Sequence, residues 1–226
     1  GDGCDELLQL PGQGARGHHA RDREPGHALG AGQPAPAVGQ RLDGVAVGRI
    51  AAQVDDLAIN SLSETGFFGA LDAIDNAEVV GALLRQAEIW LSAAGKNHVR
   101  GPFLLSINGE SGLLIDGFDR PPMMLMPWHP PYLRKLLERQ GYMLVKTLHS
   151  YSLDLTDRTL PARLEALAGR RRAGVDMKAF SESSLMEKAE QARLMFNESW
   201  AGNWGFVPVS AEEMVALIKG FRPLLK

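Results

Sequence analysis

Residues 65–95 read TGFFGALDAIDNAEVVGALLRQAEIWLSAAG, and two periods meet inside them. From Thr65 to Leu71 the chain is a short apolar run containing Phe67 and Phe68, the pattern of a buried strand. From Glu78 to Ala94 the apolar residues Val80, Leu83, Leu84, Ala87, Leu91 and Ala94 recur at helical spacing. Asp75 or Asn76 can cap that helix and Gly95 can stop it. A strand leading directly into an amphipathic helix predicts a layered fold in which the helix covers a sheet.

The neighbouring segments extend the pattern. Upstream, residues 45–55 (VAVGRIAAQVD) place Ile50, Ala52 and Val54 on one face and Arg49 and Gln53 on the other, a half-buried strand. Downstream, a strand is expected near His98 to Leu105, then a Gly- and Asp-rich loop from Asn108 to Arg120. Pro130 and Pro131 open a short helix with Leu133, Leu136 and Leu137 on one side, closed by Gly141. Tyr142 to Leu155 reads as one or two strands. The order strands, helix, strand, helix, strands predicts an α/β (α+β) fold with a mixed central sheet flanked by helices. Beyond it, Leu160 to Ala168 reads as a short linking helix ending in Arg170, Arg171 and Arg172, which read as a solvated basic turn, with phosphate binding as the lesser reading. Gly174 to Phe180 reads as a strand. Ser184 to Ala201 and the stretch opened by Ser210 read as helices, the serine serving as cap.

The first 44 of the 226 residues differ in kind. They contain no Phe, Trp, Tyr, Ile or Met and ten of the 25 glycines, so they can bury little apolar surface. Disorder or irregular coil is expected, as a flexible leader or as translation from the wrong frame of a GC-rich gene. His18, His19 and His27 lie there without a Cys or carboxylate at ligand spacing, so a metal site is only a weak alternative and none is expected. The single Cys4 excludes an internal disulfide, and the net charge of −3 argues against holding nucleic acid through bulk positive charge. With no long apolar run and no signal segment, no membrane partner is expected and a cytoplasmic setting fits best.

The ordered stretches resemble a family of uncharacterised bacterial proteins built from two GNAT-like (Gcn5-related N-acetyltransferase) halves in tandem. The resemblance is carried by Val47-Gly-Arg-Ile-Ala-Ala-Gln53, Thr65-Gly-Phe-Phe-Gly69, Gly101-Pro-Phe103, Ser106-Ile-Asn108, the run Glu110 to Asp119, Pro121-Pro-Met-Met124 and the run Phe196 to Pro208. It implies a degenerate GNAT-like half at residues 45–155, a linker at 156–173 and the start of an incomplete second half at 174–226, so that the chain looks like a fragment. It also implies an acyl-CoA-dependent acyltransferase as the parent protein, with a small-molecule or peptide acceptor. The alternative is a non-catalytic interaction or structural module of the same fold.

Two departures weigh on the chemistry. A working GNAT module resembles an Arg/Gln-x-x-Gly-x-Gly/Ala loop opening a helix, where backbone N–H groups hold the CoA pyrophosphate. The matching residues here, Asp75 to Val80, lack the basic residue and the glycines and put Asp75 and Glu78 where the anion would sit. No cofactor is therefore expected on this chain alone, acetyl-CoA or acyl-CoA being expected only for a complete parent. Many members also resemble Tyr-Glu-x-x-Gly-Phe, with the tyrosine as general acid; Leu137 stands at that position, and Tyr132 reads as a packing residue.

The resemblance further implies that the helical region at Asn197, Trp200, Asn203 and Trp204 flanks an acceptor groove, so these four are the candidate substrate-binding residues, a helix–helix contact being the plainer reading. Catalytic residues are not identified. Asp116, Asp119, His129 and His149 could supply an acid/base pair, but no spacing forces them together. Gly109-Glu-Ser111-Gly lacks the last glycine of a nucleophile elbow. Asp116-Gly117 is expected in a tight turn, and Met123 to Met126 with Trp128 in core packing, with an apolar ligand groove as the lesser reading.

Overall fold

The computed structural model describes residues 4–10, 38–58, 62–104, 107–151, 162–171 and 188–221. They fall into two units. The first comprises residues 1–150 with 202–208, and the second residues 151–201 with 209–226.

In the first unit, strands β2 (Val38–Leu42), β3 (Val45–Gln53) and β4 (Thr65–Ala73) form an antiparallel meander. Helix α1 (Ala77–Ala93) then crosses to β5 (His98–Gly101), which lies parallel to β4. Strand β1 (Cys4–Leu10) pairs antiparallel with β5 and with β8 (Leu113–Leu114) along one edge, and with β9 (Met143–His149) along the other. The result is a seven-stranded mixed sheet, with β6 (Phe103–Leu104) and β7 (Glu110–Ser111) as a separate ladder. The α/β (α+β) class and the mixed central sheet flanked by helices are thus as read from the sequence.

Two strands lie in the stretch expected to be irregular. β1 and β2 both fall within the first 44 residues. Sheet pairing is a backbone interaction, so a segment without aromatic residues can still complete a ladder supplied by its neighbours. His18, His19 and His27 lie outside the described residues.

The sheet buries both faces of β4. Phe68 and Leu71 join Ile50, Ala52, Val80, Leu83, Leu84 and Leu91 under α1 and under α2 (Tyr132–Arg139), whose Leu133, Leu136 and Leu137 complete that core. Phe67, on the opposite face, meets Phe103 edge-on at 5.5 Å and packs with Ala58, Leu62 and Val207. A strand buried on both faces shows a continuous apolar run rather than alternation, which is why residues 65–71 read as they do. Gln53, expected on the polar face of β3, is buried instead.

Local chemistry fixes the helix ends. Asn76 caps α1, its Oδ1 accepting from the backbone N–H of Glu78 at 2.8 Å and Val79 at 3.2 Å, and Gly95 ends the helix at φ 77°. Tyr132 donates its hydroxyl to the Ala73 carbonyl at 2.7 Å and Tyr142 donates to Glu88 at 3.0 Å, so both are packing residues that tie helices to the sheet. Burial raises the Glu88 carboxyl above its ordinary range despite the Tyr142 hydroxyl and Arg85, and raises the Tyr142 phenol as well.

The second unit contains α3 (Ala162–Arg171), α4 (Ala189–Trp200) and α5 (Ala211–Phe221) among its described residues. Ala189, Val209 and Met214 form its core, with Phe196 packed against them. Ser210 and Glu213 bond reciprocally, Glu213 N–H to Ser210 Oγ at 3.1 Å and Ser210 N–H to Glu213 Oε2 at 2.8 Å, a capping box at the start of α5. The strand expected at Gly174 to Phe180 lies outside the described residues.

Candidate functional site

A cavity of about 350 Å³ opens in the first unit where β4 departs from regular pairing. Arg49 pairs with Asp72 and Ala51 with Gly69, so Ile50 faces two residues, Ala70 and Leu71. That is a β-bulge, and Ala70 adopts φ 46° within it. The parallel ladder to β5 ends at Phe67 and Arg100, and beyond it the backbone of Phe103 closes on Gly69. A β-carbon at position 69 would lie 1.5 Å from the Phe103 carbonyl oxygen, so only glycine fits. The bulge and the close approach together shape one wall.

The polar lining comes from three strands and a loop. Arg49 on β3 donates through Nε to Asp72 Oδ2 on β4 at 2.7 Å, and Glu110 on β7 and His129 complete the charged and titratable set. The cavity thus sets an apolar wall of Leu71, Phe103, Leu104 and Trp128 beside a few convergent polar groups. The Arg49–Asp72 pair is more than half exposed on both sides, so it orients the groups more than it stabilises the fold. His129 is different: its Nδ1 is buried with no hydrogen-bond partner. Burial lowers its pKa below the ordinary 6.5, an effect that the Asp72 carboxylate partly offsets.

The structure thus brings His129 to Asp72. Of the other three groups weighed with it, Asp116 accepts from the Gly117 N–H at 2.9 Å in the expected tight turn, with Gly117 at φ 81°, and neither Asp119 nor His149 lines the cavity. Ser111 donates to the Ile107 carbonyl at 2.7 Å and Gly112 takes φ 99°, a turn rather than an elbow. Leu137 is fully buried in the core, so no acid occupies that position.

The four residues of the polar-aromatic cluster divide between the units. Asn197 on α4 donates Nδ2 to the Val209 carbonyl at 3.0 Å and accepts the Val209 N–H at 2.8 Å, which commits its amide to the second unit's own structure. Trp200 stacks on Phe196 at 5.7 Å and is half exposed. Asn203 and Trp204 belong to the first unit, where Trp204 lies over the Arg100 guanidinium at 5.2 Å and the Asn203 carbonyl accepts the Phe206 N–H. In that segment Asn108 Nδ2 donates to the Val207 carbonyl at 2.9 Å.

The expectation of core packing for Met123 to Met126 fails. Met123 is 74% exposed, and Met124, Leu125 and Trp128 are about half exposed. The Met126 N–H closes a turn on the Met123 carbonyl, with Leu125 at φ 63°, and Pro121 and Pro122 have no N–H to offer a ladder. Arg49, Asp72 and Glu110 were not singled out by sequence, because only the β3–β4 register and the β6–β7 ladder bring them together.

Against known proteins, the chain is 37% identical over 205 residues to protein YghO of Escherichia coli (strain K12), a match covering 89% of this chain and 51% of that protein. It is 37% identical over 186 residues to the bacterial ceramide synthase of Caulobacter vibrioides, covering 79% of this chain and 47% of the relative. The chain therefore spans about half the length of these curated relatives. The first match leaves out about a tenth of the chain, fewer residues than the opening 44, so it reaches into that stretch. No family model and no solved structure matches the chain. Among the described residues no helix is long and apolar enough to cross a membrane. The chain thus belongs, over most of its length, to the family of bacterial proteins that includes protein YghO and the bacterial ceramide synthase.

Proposed function

We propose that the chain is part of an acyltransferase of the GNAT-like kind, which joins an acyl group from an acyl-CoA to an amine acceptor. The observation that carries this reading is the 37% identity to a bacterial ceramide synthase over 79% of the chain. Ceramide is an amide of a fatty acid with a long-chain amino alcohol, so its synthesis is an N-acylation. In this reading the chain carries the degenerate half of the parent, residues 45–155, with the start of the second half, residues 174–226, and it supplies acceptor binding rather than the CoA pyrophosphate site.

The start of α1 does not fit a pyrophosphate. The Asn76 carboxamide already takes the N–H groups of Glu78 and Val79, and the Asp75 and Glu78 carboxylates repel an anion there. The cavity between β3, β4 and the loop at His129 has the size and polarity for the reacting end of an acceptor. The test is an N-acylation assay of the whole parent protein with acyl-CoA and a long-chain amine, read as amide product by mass spectrometry, beside calorimetry of this chain with acetyl-CoA. Amide from the parent and no heat from the chain are expected; micromolar binding by the chain would overturn the reading of α1.

A non-catalytic module is the second reading, favoured by the filled N-terminus of α1 and by Leu137 in the acid position. A parent protein that folds but forms no amide would select it.

A further inference from the structure

We propose that the loop from Pro121 to Trp128 is a lipid-docking tip that dips into the surface of a zwitterionic bilayer beside the rim of the cavity. The docking stands on the loop itself; only its purpose, handing a long-chain ligand between bilayer and cavity, rests on the acyltransferase reading. The loop reads Pro-Pro-Met-Met-Leu-Met-Pro-Trp, with no charged residue in it. Its side chains divide by position. Met126 is half-buried, where its sulfur accepts the Ser150 hydroxyl at 3.7 Å, and Pro127 is buried and lines the cavity. Met123, Met124, Leu125 and Trp128 are exposed to water. The base of the loop is therefore fixed to the fold and its apolar tip is presented.

The backbone of the tip is strained as well as exposed. The Met126 N–H closes the turn on the Met123 carbonyl at 3.0 Å, and Leu125, the third residue of that turn, takes φ 63°. Glycine or asparagine is the ordinary residue there, because a β-carbon crowds the following carbonyl in the left-handed region. A leucine at that place gains nothing from turn chemistry, and its exposure means that it gains little from packing. Immersion in an apolar medium accounts for it, since all four exposed side chains then leave water together.

Area and charge select the occupant. Four side chains on one turn fall well short of the roughly 20 residues and 800 Å² a side that a stable protein interface takes, so neither a second copy nor a folded partner gains enough from them. A bilayer demands no complementary shape, and a tryptophan at the base of an apolar tip suits headgroup depth, with its indole N–H in the polar layer. Ahead of the loop, Asp116 and Asp119 oppose Arg120, which leaves no basic excess to hold anionic headgroups. The lipid is therefore zwitterionic and the attraction apolar. Among the described residues no helix is long and apolar enough to cross a membrane, and a docking tip needs none.

The experiment is co-sedimentation of the full chain with phosphatidylcholine vesicles, beside quenching of its tryptophans by brominated phosphatidylcholine. Lipid-dependent binding that persists at high salt is expected, with quenching that disappears in Trp128→Phe. Met123→Ser combined with Met124→Ser is expected to lower partitioning about tenfold or more, since one such side chain withdrawn fully from water is worth about that factor. Leu125→Gly is expected to lower partitioning too while melting close to wild type, because the strain relieved offsets the extra freedom of the unfolded chain. A Leu125→Gly chain that melts lower but binds vesicles as wild type does would make the tip a structural turn and overturn the proposal. Binding only to phosphatidylglycerol vesicles and lost at high salt would overturn it as well, and so would quenching retained by Trp128→Phe, which puts the contact elsewhere, as at Trp200 on α4. A dimer formed without lipid and dissolved by the double Met→Ser change would make the loop a contact between copies instead. Failure of the two readings is separable: a parent that forms no amide leaves a chain that still binds vesicles, whereas a parent that acylates a long-chain amine in detergent while the chain ignores vesicles overturns only this inference.

Discussion

At the scale of single residues, His129 couples the candidate site to stability. Its folded pKa lies below the ordinary 6.5, so above that pH neither folded nor unfolded chain holds the proton and its contribution is fully present. As pH falls from 6.5 toward the folded value, the unfolded chain binds the proton first and stability is lost; below the folded value the loss stops growing. Glu88 runs the other way. Its folded pKa is raised, so its contribution is present below 4.5 and disappears as pH rises through the folded value. Urea unfolding of wild type and His129→Gln between pH 5 and 7.5 should show the variant losing less stability on acidification; parallel curves would mean that His129 titrates as an exposed group does. Gly69 gives a sharper residue-scale prediction. A methyl group there collides with the Phe103 backbone, which has no flexible end to swing aside, so Gly69→Ala should cost about 3 kcal/mol or more. A melting temperature within a degree of wild type would show that β4 and Phe103 can separate freely.

At the scale of elements, α1 was legible because its buried residues sit at helical spacing and its cap and stop are local, whereas the candidate site was not. Arg49 and Asp72 are 23 residues apart and meet only through the β3–β4 register with its bulge, and no local pattern announces that register. The same holds for β1, whose partners β5, β8 and β9 all lie far along the chain. Asn197 shows how a local pattern leaves a structural role unread: the amide of this polar-aromatic cluster is bonded twice to Val209. Asn197→Ala should therefore destabilise the second unit by about 1–3 kcal/mol, because it strands a part-buried N–H and carbonyl. An Asn197→Ala parent protein that melts as wild type does but forms less amide would favour the substrate-contact reading. Asn76→Ala, which frees two N–H groups at the start of α1, should cost about 1 kcal/mol in thermal unfolding.

At the scale of the whole molecule, the sheet of the first unit is completed by residues distant in sequence. The face of β4 that carries Phe67 is covered in part by Val207, which is buried with Phe103 and Leu62, and the same short segment places Trp204 over Arg100 and accepts a hydrogen bond from Asn108. Residues 202–208 thus belong to the first unit although the chain on either side of them belongs to the second. A truncation ending at Ala173 removes this cover along with α4 and α5. Phe67 and Phe103 would then face water, as would other apolar surface of the kind that promotes association. The truncated chain should bind a dye specific for exposed apolar surface, lose its sharp unfolding transition and associate. Val207→Asp separates the two contributions, since it leaves α4 and α5 in place and buries an unpaired carboxylate against Phe103. It should destabilise the first unit by several kcal/mol, within the order of magnitude for a buried, unpaired charge. If the truncated chain stays monomeric and melts as sharply as wild type, residues 202–208 are not needed to close the sheet, and the cover over Phe67 contributes nothing measurable.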